Sequence, residues 1–193
     1  MLLTKNCNFS QKFGPLLSAT VLAGLITGCT TMTAHTSIEP YTKNKLKRNA
    51  VESIAETYCR MKRGQTGDAG NVKQPDFIFT TDGCSRTIDD SWKACCIVHD
   101  IPYWCGGSAE DRLQADRALM KCVNDKAGGM GSLFYAGVRM AGSPWLPTPW
   151  RWGYGWDDWP RGYETLESSP SVEHLLDKLK IYEIVEDQLQ EKR

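Results

Sequence analysis

Histidine is scarce in this chain, neither sign of charge is in excess, and no apolar run is long enough to cross a bilayer. Three of 193 residues are histidine, and only His99 lies between the N-terminal region and the last helical segment, so imidazole chemistry rests on a single ring. Lysine and arginine total 23 against 23 aspartates and glutamates. No basic cluster is long enough to track phosphates, which excludes nucleic acid as a partner. The most apolar run, Phe13 to Ile26, is too short for a membrane span.

That run follows Lys5 and Lys12 and ends Leu25-Ile26-Thr27-Gly28-Cys29, the layout of a secretory leader with a small residue at the cleavage point. It resembles a bacterial lipobox. The resemblance implies removal of residues 1–28, a diacylglyceryl thioether on Cys29 and an acylated (palmitate-type) amino terminus. Thr30 stands where an Asp would signal retention in the inner membrane. The expectation is an exported, outer-membrane lipoprotein facing the periplasm or the outside, with a phospholipid membrane as its partner.

Eight cysteines are present. Cys7 leaves with the leader and Cys29 takes lipid, so Cys59, Cys84, Cys95, Cys96, Cys105 and Cys122 remain. An even set suits an exported disulfide framework, with fifteen connectivities open on arithmetic alone. Zinc is disfavoured, because adjacent Cys95 and Cys96 lack C-x2-C spacing and no His lies near another Cys pair.

The stretch Cys95-Cys96-Ile97-Val98-His99-Asp100, followed by Tyr103, concentrates the chemistry. On a helix over about 90–104, Cys95, His99 and Tyr103 share one face while Cys96 and Asp100 share the next. A second helix is expected from Ser108 to Asp125, opened by a capping box with Ser108 as N-cap and Asp111 three residues on. It carries Asp116 and Cys122.

These residues resemble the core of the secreted phospholipase A2 superfamily: a CCxxHDxxY helix disulfide-linked to an antiparallel helix whose Asp lies six residues before a Cys, here Asp116 and Cys122. The loop Asp82-Gly83-Cys84-Ser85, with Asp89 shortly after, looks more like the bacterial and fungal branch than the glycine-rich loop of the animal enzymes. The resemblance covers about residues 77–125. A further disulfide of the animal branch would fall on Pro102 and Ala115, so both of its partners are absent together. Pro102 also removes a backbone donor where Tyr103 must project.

The resemblance implies disulfides Cys84–Cys96 and Cys95–Cys122, leaving Cys59 with Cys105. With Cys95 joined to Cys122 between antiparallel helices, His99 falls opposite Asp116. It further implies His99 as general base, Asp116 and Tyr103 as its catalytic companions, and Ca2+ held by Asp82, Asp100 and the Gly83 carbonyl. The activity implied is hydrolysis of the sn-2 ester of glycerophospholipids. Plainer roles remain open for the same residues: a structural histidine, and capping for Asp82 and Asp100. A second function class is a catalytically silent lipoprotein using the scaffold for Ca2+-dependent envelope or membrane binding. A third is an envelope structural protein built on the terminal segments.

The expected fold class is mainly α: two antiparallel disulfide-linked helices with a calcium loop, further helices and a Trp/Pro/Gly-rich segment. After the leader, 29–44 reads as a lipidated tether and 45–143 as the helical domain. Its first helix, about 45–63, has an apolar stripe of Leu46, Ala50, Ile54, Tyr58 and Met61. Gly106-Gly107 ends the catalytic helix, and Gly128 to Gly142 forms another with Leu133, Phe134, Val138 and Met140. Segment 144–169 holds five of the seven tryptophans; packing on the helices outweighs lipid contact there, since buried indoles are the commoner case. Residues 170–193 read as one amphipathic helix with Ser169 as N-cap, its stripe running from Val172 to Leu189 and docked on the domain.

Overall fold

The computed structural model of the chain describes residues 40–64, 75, 77–84, 91–148, 153–156, 161–166 and 169–190. Six helices occur among them: α1 Lys45–Lys62, α2 Lys93–Cys105, α3 Ala109–Ala127, α4 Gly131–Ala141, α5 Val172–Lys178 and α6 Ile181–Leu189. No strand occurs among the described residues. The mainly helical expectation holds.

α2 is the central element, buried on nearly every face from Ala94 to Cys105. One face of α2 meets α1, α5 and α6 in a shared core of Val51, Ile97, Ile101, Leu175 and Ile181. Its other side joins α3 through Cys95, Leu119 and Val123. α3 opens with the expected capping box, in which the Ser108 side chain accepts from the Asp111 amide and the Asp111 carboxylate accepts from the Ser108 amide. This satisfies amides that the first turn leaves orphaned.

Three cysteine pairs stand at disulfide distance, Cys59–Cys105, Cys84–Cys96 and Cys95–Cys122, with Cα separations of 5.3, 5.1 and 5.7 Å. Thus both ends of α2 are tied to other parts of the chain. Helix α2 runs on through Pro102 to Cys105, although a proline inside a helix costs ~3 kcal/mol. Bonding of Cys105 to Cys59 and of the Tyr103 carbonyl to the Gly155 amide holds the last turn in place. Gly106 then stops the helix at φ 74°, a conformation that favours glycine.

Several expectations shift. The buried stripe of α1 is Val51, Ala55, Tyr58, Cys59 and Lys62, while Leu46 is 80% exposed. Two partners account for the rotation: Cys59 is drawn to Cys105, and Lys62 forms a buried ion pair with Asp111 while also donating to the Pro170 carbonyl. The C-terminal segment is two helices, broken at Leu179–Lys180, where Lys180 adopts the left-handed conformation. Its N-cap is Ser171, which accepts from the His174 amide. Ser169 instead donates to the Lys62 carbonyl. Docking of the segment is as expected, with Val172, Leu175, Leu176, Ile181 and Val185 buried. Part of the expected tether is also docked, since the Tyr41 amide donates to the Thr81 carbonyl and Asn44 caps α1. Cys29 and the remainder of the tether lie outside the described residues, as does the leader. No helix among the described residues is long and apolar enough to cross a membrane.

In the tryptophan segment, Trp156 is buried and stacks on Phe79 at 5.9 Å, whereas Trp145 is 61% exposed. Trp150, Trp152 and Trp159 lie outside the described residues.

Candidate functional site

His99 sits mid-way along α2, 7% exposed. Its Nε2 lies 2.9 Å from Oδ1 of Asp116, which projects from α3 and is fully buried. The antiparallel register set by Cys95–Cys122 thus brings these two residues together. Tyr103, one turn beyond His99, donates its hydroxyl to the same Asp116 oxygen at 2.8 Å.

The other oxygen of Asp116 meets two guanidinium groups. Arg139 of α4 donates to Oδ2 at 2.7 Å, and Arg112 Nε stands 3.8 Å from it. Burial pushes the Asp116 carboxyl up, but the hydrogen bond and charge of His99, with the hydrogen bonds of Arg139 and Tyr103, outweigh it and hold the group below the ordinary carboxylate range. Asp116 is therefore ionised at neutral pH and can only accept, which puts the shared proton on His99 Nε2. In the neutral ring Nδ1 is then the acceptor. Burial, followed by the charge of Asp116, drives the Tyr103 phenol well above its ordinary value, so Tyr103 acts as a neutral donor.

Arg112 closes the arrangement from behind. It donates to the Tyr103 hydroxyl at 3.2 Å, to the Tyr163 hydroxyl at 3.0 Å, and to the Val138 and Arg139 carbonyls at 2.9 and 2.7 Å. Those two carbonyls belong to the last turn of α4, and Val138 also accepts from the Gly142 amide at 2.8 Å. Gly142, just after α4, lies so close that a Cβ there would sit 2.6 Å from the Tyr103 hydroxyl oxygen.

In front of His99 lies a groove of about 400 Å³, within the range of small-molecule sites. His99, Asp100 and Gly83 line one end. Leu119 of α3 and Phe134 and Val138 of α4 supply apolar wall.

At the polar end, Thr81 donates to Asp100 Oδ2 at 2.7 Å and accepts from the Gly83 amide at 3.1 Å. Gly83 has φ +87°, which favours glycine. The side-chain groups at this corner are oxygens, the donor type a hard cation takes, and Thr81 holds the Asp100 carboxylate in place. Asp82 is half-buried in the same loop and does not line the groove. Ser85 and Asp89 lie outside the described residues. Among the described residues, no group of three or more His, Cys, Asp or Glu side chains stands where it could hold a metal ion.

Compared with family models, with curated proteins and with solved structures, the chain matches none.

Sequence reading missed Thr81, Arg112 and Arg139. Arg112 precedes Asp116 by one helical turn, a spacing that flags an ion pair. Arg139 carries no such signal, because only the folding of α4 against α3 brings it to Asp116.

Proposed function

We propose that the chain is a Ca2+-dependent, phospholipase A2-like hydrolase that cleaves the sn-2 ester of glycerophospholipids at a membrane surface. The observation that carries this reading is the His99–Asp116 pair at 2.9 Å, opening on an apolar groove. Among the described residues, Nδ1 of His99 has no hydrogen-bond partner and the ring lines the groove. That is where a water and an ester carbonyl would meet a base.

In this mechanism His99 Nδ1 takes a proton from water as the water oxygen bonds to the ester carbonyl carbon. Asp116 holds the Nε2–H tautomer and stabilises the imidazolium. On collapse the carbon–oxygen bond to the glycerol breaks, and His99 returns its proton to the departing alkoxide. A fatty acid and a lysophospholipid result, with one water consumed. Tyr103 keeps the Asp116 carboxylate oriented. Asp100 and the carbonyl of Gly83, residues that line the groove, would hold Ca2+, with Asp82 of the same loop as the further ligand the resemblance implies. The rest of the ion's roughly six to eight oxygen positions are left to water and substrate. When bound, the ion supplies positive charge for the substrate phosphate and for the carbonyl oxygen.

A phospholipid membrane as partner is supported by exposed apolar side chains on and next to α4, the helix that walls the groove. Met130, Leu133, Met140, Trp145 and Leu146 are all more than a third exposed, on α4, at its N-cap or shortly after it. From Ala127 to Trp150 the only charged residue is Arg139, and its guanidinium turns inward to Asp116. Exposed apolar side chains gathered in one uncharged stretch of chain suit contact with a lipid surface.

The test is hydrolysis of phospholipid vesicles by the purified full chain, with Ca2+ and with a chelator. Product only with Ca2+ supports the reading. No product in either condition would leave the residues as a rigid, silent scaffold.

A further inference from the structure

The pairing of His99 with Asp116 leaves open what fixes Asp116 itself. A carboxylate can turn about its Cβ–Cγ bond, so one hydrogen bond does not set both oxygens. Here the two oxygens are tied to different helices: Oδ1 to His99 and Tyr103 of α2, and Oδ2 to Arg139 of α4. Arg139 is the one partner of Asp116 that comes from the apolar wall of the groove, and its side chain is 31% exposed whereas Arg112 is 3% exposed. Arg112 lies farther from Oδ2, at 3.8 Å, and directs its hydrogen bonds to Tyr103, Tyr163 and the α4 carbonyls.

We propose that Arg139 is a positioning residue of the hydrolytic site, locking the Asp116 carboxylate in the rotation that serves His99 and coupling the placement of α4 to the catalytic pair. The inference rests on the hydrolase reading given above. Every charged or titratable group that the structure shows on Asp116 has a distinct part: His99 and Tyr103 of α2 share Oδ1, Arg112 of α3 stands behind, and Arg139 of α4 holds Oδ2. With Arg139 removed, Oδ2 of a fully buried carboxylate loses its closest compensating charge. The carboxylate is then free to turn, and it takes a proton at higher pH. A protonated or rotated Asp116 no longer fixes the Nε2–H tautomer.

Because Arg139 is partly exposed, its replacement opens no core cavity. The experiment compares wild type, Arg139→Met and Arg139→Lys as full-length chains, with two readouts. On a soluble short-chain phospholipid in saturating Ca2+, Arg139→Met should lower kcat about tenfold to a hundredfold, the range for loss of a group that orients a functional side chain. KM should stay within about twofold, and Arg139→Lys should recover most of kcat. By carboxyl-carbon NMR, the Asp116 titration midpoint should rise in Arg139→Met, by about one pH unit, and return towards wild type in Arg139→Lys.

Raised KM with unchanged kcat would make Arg139 a wall residue only and overturn the proposal. So would an Asp116 midpoint that does not move. If wild type hydrolyses nothing, the hydrolase reading fails by itself, and the carboxyl titration still decides whether Arg139 sets the state of Asp116.

Discussion

His99 and Tyr103 reach the same oxygen. Nε2 of one and the hydroxyl of the other lie 2.9 and 2.8 Å from Asp116 Oδ1, and their rings approach to 4.2 Å between centroids. One turn of α2 therefore delivers an imidazole and a neutral phenol to one buried carboxylate. Cys95–Cys122 fixes the register of α2 against α3 that makes this possible.

Stability should fall on the acid side through Asp116. Its folded carboxyl titrates below the ordinary value, so its contribution is full above the unfolded value of about 3.9 and is lost as pH falls through the folded one. Urea midpoints measured from pH 6 downwards should drop more steeply for wild type than for Asp116→Asn. Parallel curves for the two would show that another group governs acid unfolding.

The alkaline side is set by tyrosines. Burial pushes Tyr58, Tyr103 and Tyr154 well above the ordinary phenol value, with Tyr41 and Tyr182 pushed up to about 12. A raised folded value means stability that is full below about pH 10 and is lost as pH rises through the folded values. Phenolate absorbance should lag behind that of free tyrosine and then rise together with unfolding. Smooth titration of all seven tyrosines near pH 10 in folded protein would contradict the burial described.

Trp156 and Trp145 should separate packing from surface contact. Trp156→Ala removes a buried ring stacked on Phe79 and should cost about 3–5 kcal/mol in denaturant unfolding. Trp145→Ala should leave the unfolding midpoint nearly unchanged while weakening binding to phospholipid vesicles. The opposite pattern, a stability loss at Trp145 and none at Trp156, is incompatible with their burial.

Lys62 and Asp111 form a buried pair at the junction of α1 and α3. Lys62→Met strands the Asp111 carboxylate and should cost about 3–5 kcal/mol. The double replacement Lys62→Met with Asp111→Leu should recover part of that loss, because an apolar pair strands no charge, although the capping contacts to Ser108 go with it. A double variant no better than the single one would point to the Ser108 cap as the larger contribution.

What the sequence made legible was local in character. Helical spacing placed His99 and Tyr103 on one face, and the Ser108–Asp111 box marked the start of α3 to the residue. Two cysteine pairings followed the family resemblance and Cys59–Cys105 was what remained; all three are met at disulfide distance. Long-range contacts were out of reach. The sequence carries no local sign that Lys62 pairs with Asp111 or that Arg139 reaches Asp116, since each contact exists only once separate helices pack. The single C-terminal helix failed for a related reason. Its apolar stripe is continuous in sequence, yet the chain turns at Lys180 with φ 51°, so that α5 and α6 both pack on the core.

Cation binding at the polar end of the groove should be governed first by Asp100. It is held by Thr81 and lines the groove beside Gly83, so Asp100→Asn should weaken Ca2+ affinity more than Asp82→Asn. Calorimetric titration of the three chains ranks them. An unchanged affinity in Asp100→Asn would remove it from the ligand set.

The most direct measurement is release of labelled fatty acid from the sn-2 position of phospholipid vesicles, in excess Ca2+, by wild type and His99→Gln. Wild type should release fatty acid steadily and the variant about 10²-fold or more slowly, with thermal unfolding of the two chains alike. Release by His99→Gln within a few-fold of wild type would contradict the assignment of this ring as the base.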